Sequence, residues 1–104
     1  PNCWRRGPST GTQYLRTADP RFQRNERLRL ESATALDEAA TGRLLDRTGK
    51  PIAIPVRVTS RTDGPSGLRW IVADATLAPL AAGDYAIEIS VGDLRQVTGF
   101  RIVP

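Results

Sequence analysis

Along most of the chain, apolar and polar residues alternate with the two-residue period of a half-buried β-strand. In Glu26-Arg27-Leu28-Arg29-Leu30-Glu31 the charged and apolar residues alternate strictly, which predicts a strand with one buried face. In Tyr85-Ala86-Ile87-Glu88-Ile89-Ser90-Val91 the odd positions point inward, and a last strand from about Gln96 to Val103 buries Phe100 and Ile102. Leu68-Arg69-Trp70-Ile71-Val72 is read with Leu68, Trp70 and Val72 on the buried face. In Ile52-Ala53-Ile54-Pro55-Val56-Arg57-Val58 the even positions are all β-branched and apolar. Pro51 and Pro55 have no N–H to give to a ladder, so this segment is expected at a sheet edge.

The connections carry turn chemistry. Thr48-Gly49-Lys50-Pro51 and Thr62-Asp63-Gly64-Pro65-Ser66-Gly67 read as turns, and Gly92-Asp93 as a tight hairpin between two strand patterns. Further strands are expected near Gln13–Arg16 and Gly42–Asp46. Ser32–Thr41 has the composition for one helical turn, too short to stand alone. The first residues, PNCWRRGPSTGT, show no such alternation. The resulting division is an extended lead-in or linker over residues 1–12 and a β-sandwich domain over residues 13–104. Trp4 in the lead-in is a large apolar group, so residues 1–11 are expected to run extended with Trp4 docked on an apolar patch.

Leu80-Ala81-Ala82-Gly83-Asp84-Tyr85 is more specific than the rest. Leu80, Gly83 and Tyr85 have the spacing of a tyrosine corner, in which the tyrosine hydroxyl bonds back to the backbone a few residues upstream. The fold class that follows is all-β: an antiparallel sandwich of about seven strands, immunoglobulin-like or fibronectin III-like.

Composition removes chemistry rather than adding it. The chain has 104 residues, no His and no Met. Without His there is no Ser-His-Asp or Cys-His nucleophile system, and with only Cys3 there is no internal disulfide and no zinc cluster. Asp37, Glu38, Asp84 and Glu88 read as exposed charges rather than as a catalytic pair, and Asp63-Gly64 is too sparse for a calcium loop. No enzyme activity, metal or cofactor is therefore expected. No apolar run is long enough to span a membrane. With neither an initiator Met nor a signal peptide, the chain is expected to be a processed product or an excised domain.

The net charge of +4 is uneven, because residues 1–29 hold seven Arg against Asp19 and Glu26. Arg21, Arg24, Arg27 and Arg29 form the densest basic run, with Phe22 inside it. A single-strand nucleic-acid binder would interleave aromatics with such a run, but there are six aromatics in all, and Trp70, Tyr85 and Phe100 are assigned to the core. Arg27 and Arg29 alternate with Leu28 and Leu30 as a solvated strand face does, so no nucleic acid is expected. Trp4, Arg5, Arg6, Arg21 and Arg24 are the candidate interaction residues, for a protein partner, a neighbouring domain or a second copy.

Several segments together carry a family likeness: Trp4-Arg5-Arg6-Gly7-Pro8, Ala18-Asp19-Pro20-Arg21-Phe22, Asn25 to Glu31, Arg43 to Pro51, and Leu77 to Tyr85. They resemble the C-terminal module of secreted bacterial proteins, common in acidobacteria, that carry a von Willebrand factor A-like domain upstream. The likeness covers nearly the whole chain. The Asp-x-Ser-x-Ser metal motif of the A domain itself is absent. The family has no established activity for this module to carry over, and the leading expectation is a non-enzymatic extracellular, periplasmic or cell-surface module that supports or presents another domain. The alternative is a structural subunit of an extracellular filament or adhesin, assembling through strand edges.

Overall fold

The alternating segments build two stacked sheets. A computed structural model describes residues 2–7, 14–17 and 19–104, with Leu15 by its backbone only. The strands are β1 (Asn2–Arg6), β2 (Leu15–Thr17), β3 (Arg21–Phe22), β4 (Arg27–Thr34), β5 (Ala40–Asp46), β6 (Pro51–Ile52), β7 (Arg57–Thr62), β8 (Arg69–Thr76), β9 (Gly83–Val91) and β10 (Leu94–Ile102). The first sheet runs β2-β1-β4-β8-β7 and the second β3-β10-β9-β5-β6. Every pairing is antiparallel except that of β3, which lies parallel to β10 at Arg101 and Ile102.

The inward faces meet in one core. Leu28 and Leu30 of β4 and Ile71, Ala73 and Ala75 of β8 face Leu44, Ile87, Ile89, Val91, Phe100 and Ile102 of the second sheet. Each large aliphatic among them gains about 1.5–3 kcal/mol from burial. The inward phases expected for β4, β9 and β10 are the observed ones. Gly92 has φ +57°, and among the described residues no non-glycine has positive φ. A positive φ at the first of the two turn residues alone is the type II′ hairpin, which is why the order Gly-Asp works here.

In its strand layout the structure departs from expectation at five places. Among the described residues ten strands replace about seven, because β2, β3 and β6 are short pieces added at sheet edges. β8 is turned by one residue: Ile71, Ala73 and Ala75 are inward, and Trp70 is only half-buried on the outward face with Val72. Both phases of β8 carry apolar residues, but Asp74 shares a face with Trp70 and Val72, and burying that face would bury its charge. The Ile52–Val58 segment is not one strand. It bends at Ala53 and Ile54, so Pro51–Ile52 edges the second sheet and Arg57–Thr62 the first, while Ile52, Ile54, Val56 and Val58 all pack on the core. Ser32–Thr41 forms no helical turn. Its ends belong to β4 and β5, and Thr34 Oγ1 accepts from Leu36 N–H at 3.0 Å.

The fifth departure is the lead-in. Asn2–Arg6 is a strand of the first sheet, held between β2 and β4. Its inward face consists of Cys3, packed against the core, and Arg5. The Arg5 guanidinium lies 4.9 Å from the Phe22 ring centre and donates to the carbonyls of Arg21 (2.8 Å) and Asp19 (3.3 Å) and to Glu26 Oε2 (3.3 Å). An arginine on the inward face hides the alternation, while its stem and hydrogen bonds stitch β1 to the strand that crosses to the second sheet. Residues 1, 8–12 and Gln13 lie outside the described residues.

Candidate interaction surface

Strand register sets the outward face of the first sheet. Arg16, Trp4, Arg29, Asp74 and Arg57 stand opposite one another in a row across all five strands. Arg6, Arg27 and Thr76 form the next row on one side, and Glu31, Val72 and Thr59 the row on the other. Beyond these, Trp70 faces Arg61. Because directly opposed residues share a face, the period-2 pattern collects arginines from β1, β2, β4 and β7 on one surface.

Some of these arginines are neutralised in place. Arg29 donates to both Asp74 oxygens at 2.7 and 3.3 Å, and this hydrogen bonding raises its pKa further above the ordinary arginine range. Its guanidinium also stacks 4.0 Å from the Tyr14 ring centre, with Arg6 5.9 Å from the same ring. Arg61 pairs with the buried Glu31 and lies over Trp70, whose Nε1–H donates to Asp63 at 2.9 Å. Arg16 donates to Asn2 Oδ1 at 2.8 Å. Arg27 and Arg57 make no ion pair among the described residues. They line a shallow notch of about 390 Å³ with Arg6, Tyr14, Arg29 and Asp74. The notch thus offers guanidinium donors in excess of its single carboxylate.

The sequence-predicted interaction residues do not form one site. Trp4 and Arg6 belong to this face, and the residues opposite Trp4 are Arg16 and Arg29 rather than an apolar patch. Arg5 is occupied inside the fold, as described above. Arg21 pairs with Asp19 at 3.1 Å, and Arg24 donates to the Ala78 carbonyl at 2.7 Å, both away from the notch. Arg16, Arg57, Arg61, Tyr14 and Trp70 were missed. The alternation that identified Arg27 and Arg29 as one face also runs through Arg57-Val58-Thr59, a signal that could have found Arg57, but Ser60 breaks it before Arg61.

Around the corner motif, Leu80 is buried and Gly83 has φ +151°, a backbone region that is essentially glycine's alone. Tyr85 Oη donates to the Ala81 carbonyl at 2.8 Å, four residues upstream, and its ring stacks on Phe100 at 5.9 Å. Glu88, read from the sequence as an exposed charge, is instead buried on the outward face of the second sheet, where Arg43 (2.8 Å) and Arg95 (2.5 Å) both pair with it. Burial pushes the Cys3 thiol above its ordinary value, an effect partly offset by the Arg5 charge. Comparison with protein-family models, with curated proteins and with solved structures finds no match for this chain.

Proposed function

We propose that this chain is a non-enzymatic, immunoglobulin-like module of a secreted or cell-envelope protein, and that it works by protein contact. The outward face of its first sheet docks an acidic surface of a neighbouring domain or partner protein. The strand order, the short parallel strand against β10 and the Tyr85 hydroxyl bond support the immunoglobulin-like reading.

The observation that carries the docking reading is the charge of that face: among the described residues Arg6, Arg16, Arg27, Arg29, Arg57 and Arg61 stand against Glu31, Asp63 and Asp74, and Arg27 and Arg57 pair with none of them. Such a field steers an acidic partner and fixes its register. One feature favours a folded acidic surface over a nucleic-acid strand: the Trp70 ring is already covered by Arg61, which leaves it no free face on which to stack a base. The test is backbone-amide shift mapping during titration with short poly-L-glutamate and, separately, with oligothymidylate, at ~150 mM salt. The expected result is poly-glutamate shifts concentrated at Arg27, Arg57 and Arg6, with DNA binding no tighter than ~10⁻⁴ to 10⁻⁶ M. Tight DNA binding at those residues, or poly-glutamate shifts scattered over the second sheet, overturns it.

A further inference from the structure

The second sheet has an open place beside β10. Arg101 N–H donates to the Pro20 carbonyl and Val103 N–H to the Phe22 carbonyl, so odd-numbered residues of β10 aim their backbone groups away from β9. The two-residue hairpin agrees, because it closes on the Val91–Leu94 pair and assigns even-numbered residues to β9. Arg95, Val97 and Gly99 therefore present three N–H and three C=O groups to the outer edge. Among the described residues β3 meets that edge only at Arg101 and Ile102, and nothing pairs with it from Leu94 to Gly99.

Two of the usual guards are missing from this edge, although Arg95 and Arg101 place charge on it. β10 pairs residue for residue with β9 from Leu94 to Ile102 without a bulge, and it contains no proline. The two large apolar side chains that are exposed among the described residues, Leu94 (62%) and Val97 (50%), both belong to it. Alongside it the β1–β2 pair of the first sheet runs past β10 and leaves a mainly apolar cleft of about 470 Å³. Cys3, Thr17, Leu30, Ile87, Thr98 and Gly99 are among its lining residues, so the cleft reaches core side chains from the open edge.

We propose that the open edge of β10, together with the cleft at its Gly99 end, is a strand-acceptor slot: an extended segment of a partner polypeptide, apolar at alternate positions, pairs with Arg95, Val97 and Gly99 and continues the line of β3. Unsatisfied backbone groups on one wall and core side chains on the other demand an extended chain with alternate apolar residues. The mouth holds one charge of each sign, Arg16 and Asp19, and Arg95 is already matched by Glu88. The slot is thus electrically balanced and accepts an uncharged strand, unlike the basic face of the first sheet.

The probe is a peptide of alternating Thr and Val, with terminal lysines for solubility, beside the same peptide N-methylated at alternate residues. Hydrogen exchange is read at each amide. In the free protein Arg95, Val97 and Gly99 should exchange fast and Gln96 and Thr98 slowly, and the unmethylated peptide should slow the odd set. Val97→Pro removes an N–H that the domain's own ladder does not use, so it should weaken binding by roughly an order of magnitude with the thermal midpoint nearly unchanged. Val97→Thr keeps the N–H and should bind as the parent does. Protection of the odd amides in the free protein at low concentration would mean that the chain fills its own slot, and concentration-dependent protection would mean that a second copy does. Either result overturns the proposal, as does equal binding of the methylated peptide or no binding at millimolar peptide.

Discussion

The outward faces of the two sheets are built alike and charged differently. Each buries one glutamate under arginine: Glu31 beneath Arg61 in the first sheet, Glu88 between Arg43 and Arg95 in the second. On the second sheet the remaining charges also pair, Arg101 donating to both Asp84 oxygens at 2.7 and 3.3 Å. On the first sheet Arg27 and Arg57 stand beside the Arg29–Asp74 pair with no carboxylate of their own among the described residues. Stability accounts for the arginines of the second face. It does not account for Arg27 and Arg57, which add like-charge repulsion to a sheet already held by its core. The contrast separates arginines that complete a fold from arginines that it leaves without a carboxylate, the ones proposed to meet a partner.

The contrast breaks most visibly through Glu88. Replacing Arg43 and Arg95 together by alanine leaves a buried carboxylate unpaired and should lower unfolding free energy by about 2–3 kcal/mol in a urea titration, the half-exposed arginines holding the loss below that of a fully buried pair. An unchanged midpoint would mean that water already satisfies Glu88. Tyr85→Phe should cost about 1 kcal/mol, one hydroxyl bond to the Ala81 carbonyl.

Acid should act mainly through the second sheet. Hydrogen bonds from Thr48 and Lys50 hold Asp46 below the ordinary aspartate value of 3.8, hydrogen bonding to Arg101 does the same for Asp84, and hydrogen bonding to Arg21 for Asp19. These groups take up protons more readily unfolded than folded. Their contribution is complete above the unfolded value and is lost as pH falls from about 4 through the lower folded values. Urea midpoints should be flat above about pH 5 and decline below 4; a rise on acidification would contradict the assignment. Smallest of all, Arg27→Ala and Arg57→Ala on the first face should change stability by no more than about 0.5 kcal/mol, or raise it slightly. A larger loss would make these two arginines part of the fold.

Much of the fold was legible where a strand shows one clean phase. β4, β9 and β10 alternate between charge and aliphatic, and each has the expected residues inside. β8 was misread because a five-residue window showed Trp70 and Val72 but not Asp74, two positions further along the same face. β1 was missed because Arg5 breaks the apolar phase, and only its contacts with Phe22 and the Asp19 and Arg21 carbonyls explain an arginine there. The surface was half-legible for a different reason. Residues on one strand share a face by their spacing, but Arg57 reaches the Arg29–Asp74 row only through pairing across β8, which the order of residues along the chain does not encode.

On the proposed docking face, Arg27 and Arg57 select an acidic partner. The direct measurement is the affinity for short poly-L-glutamate of three proteins: the parent, the Arg27→Glu/Arg57→Glu variant, and an Arg47→Glu variant altered in the exposed turn between β5 and β6. The expected outcome is a loss of at least about tenfold for the double reversal, little change for Arg47→Glu, and equal folding by circular dichroism for all three. Equal losses when scaled to net charge would show that overall basicity alone attracts the polyanion, and would contradict a docking face on the first sheet.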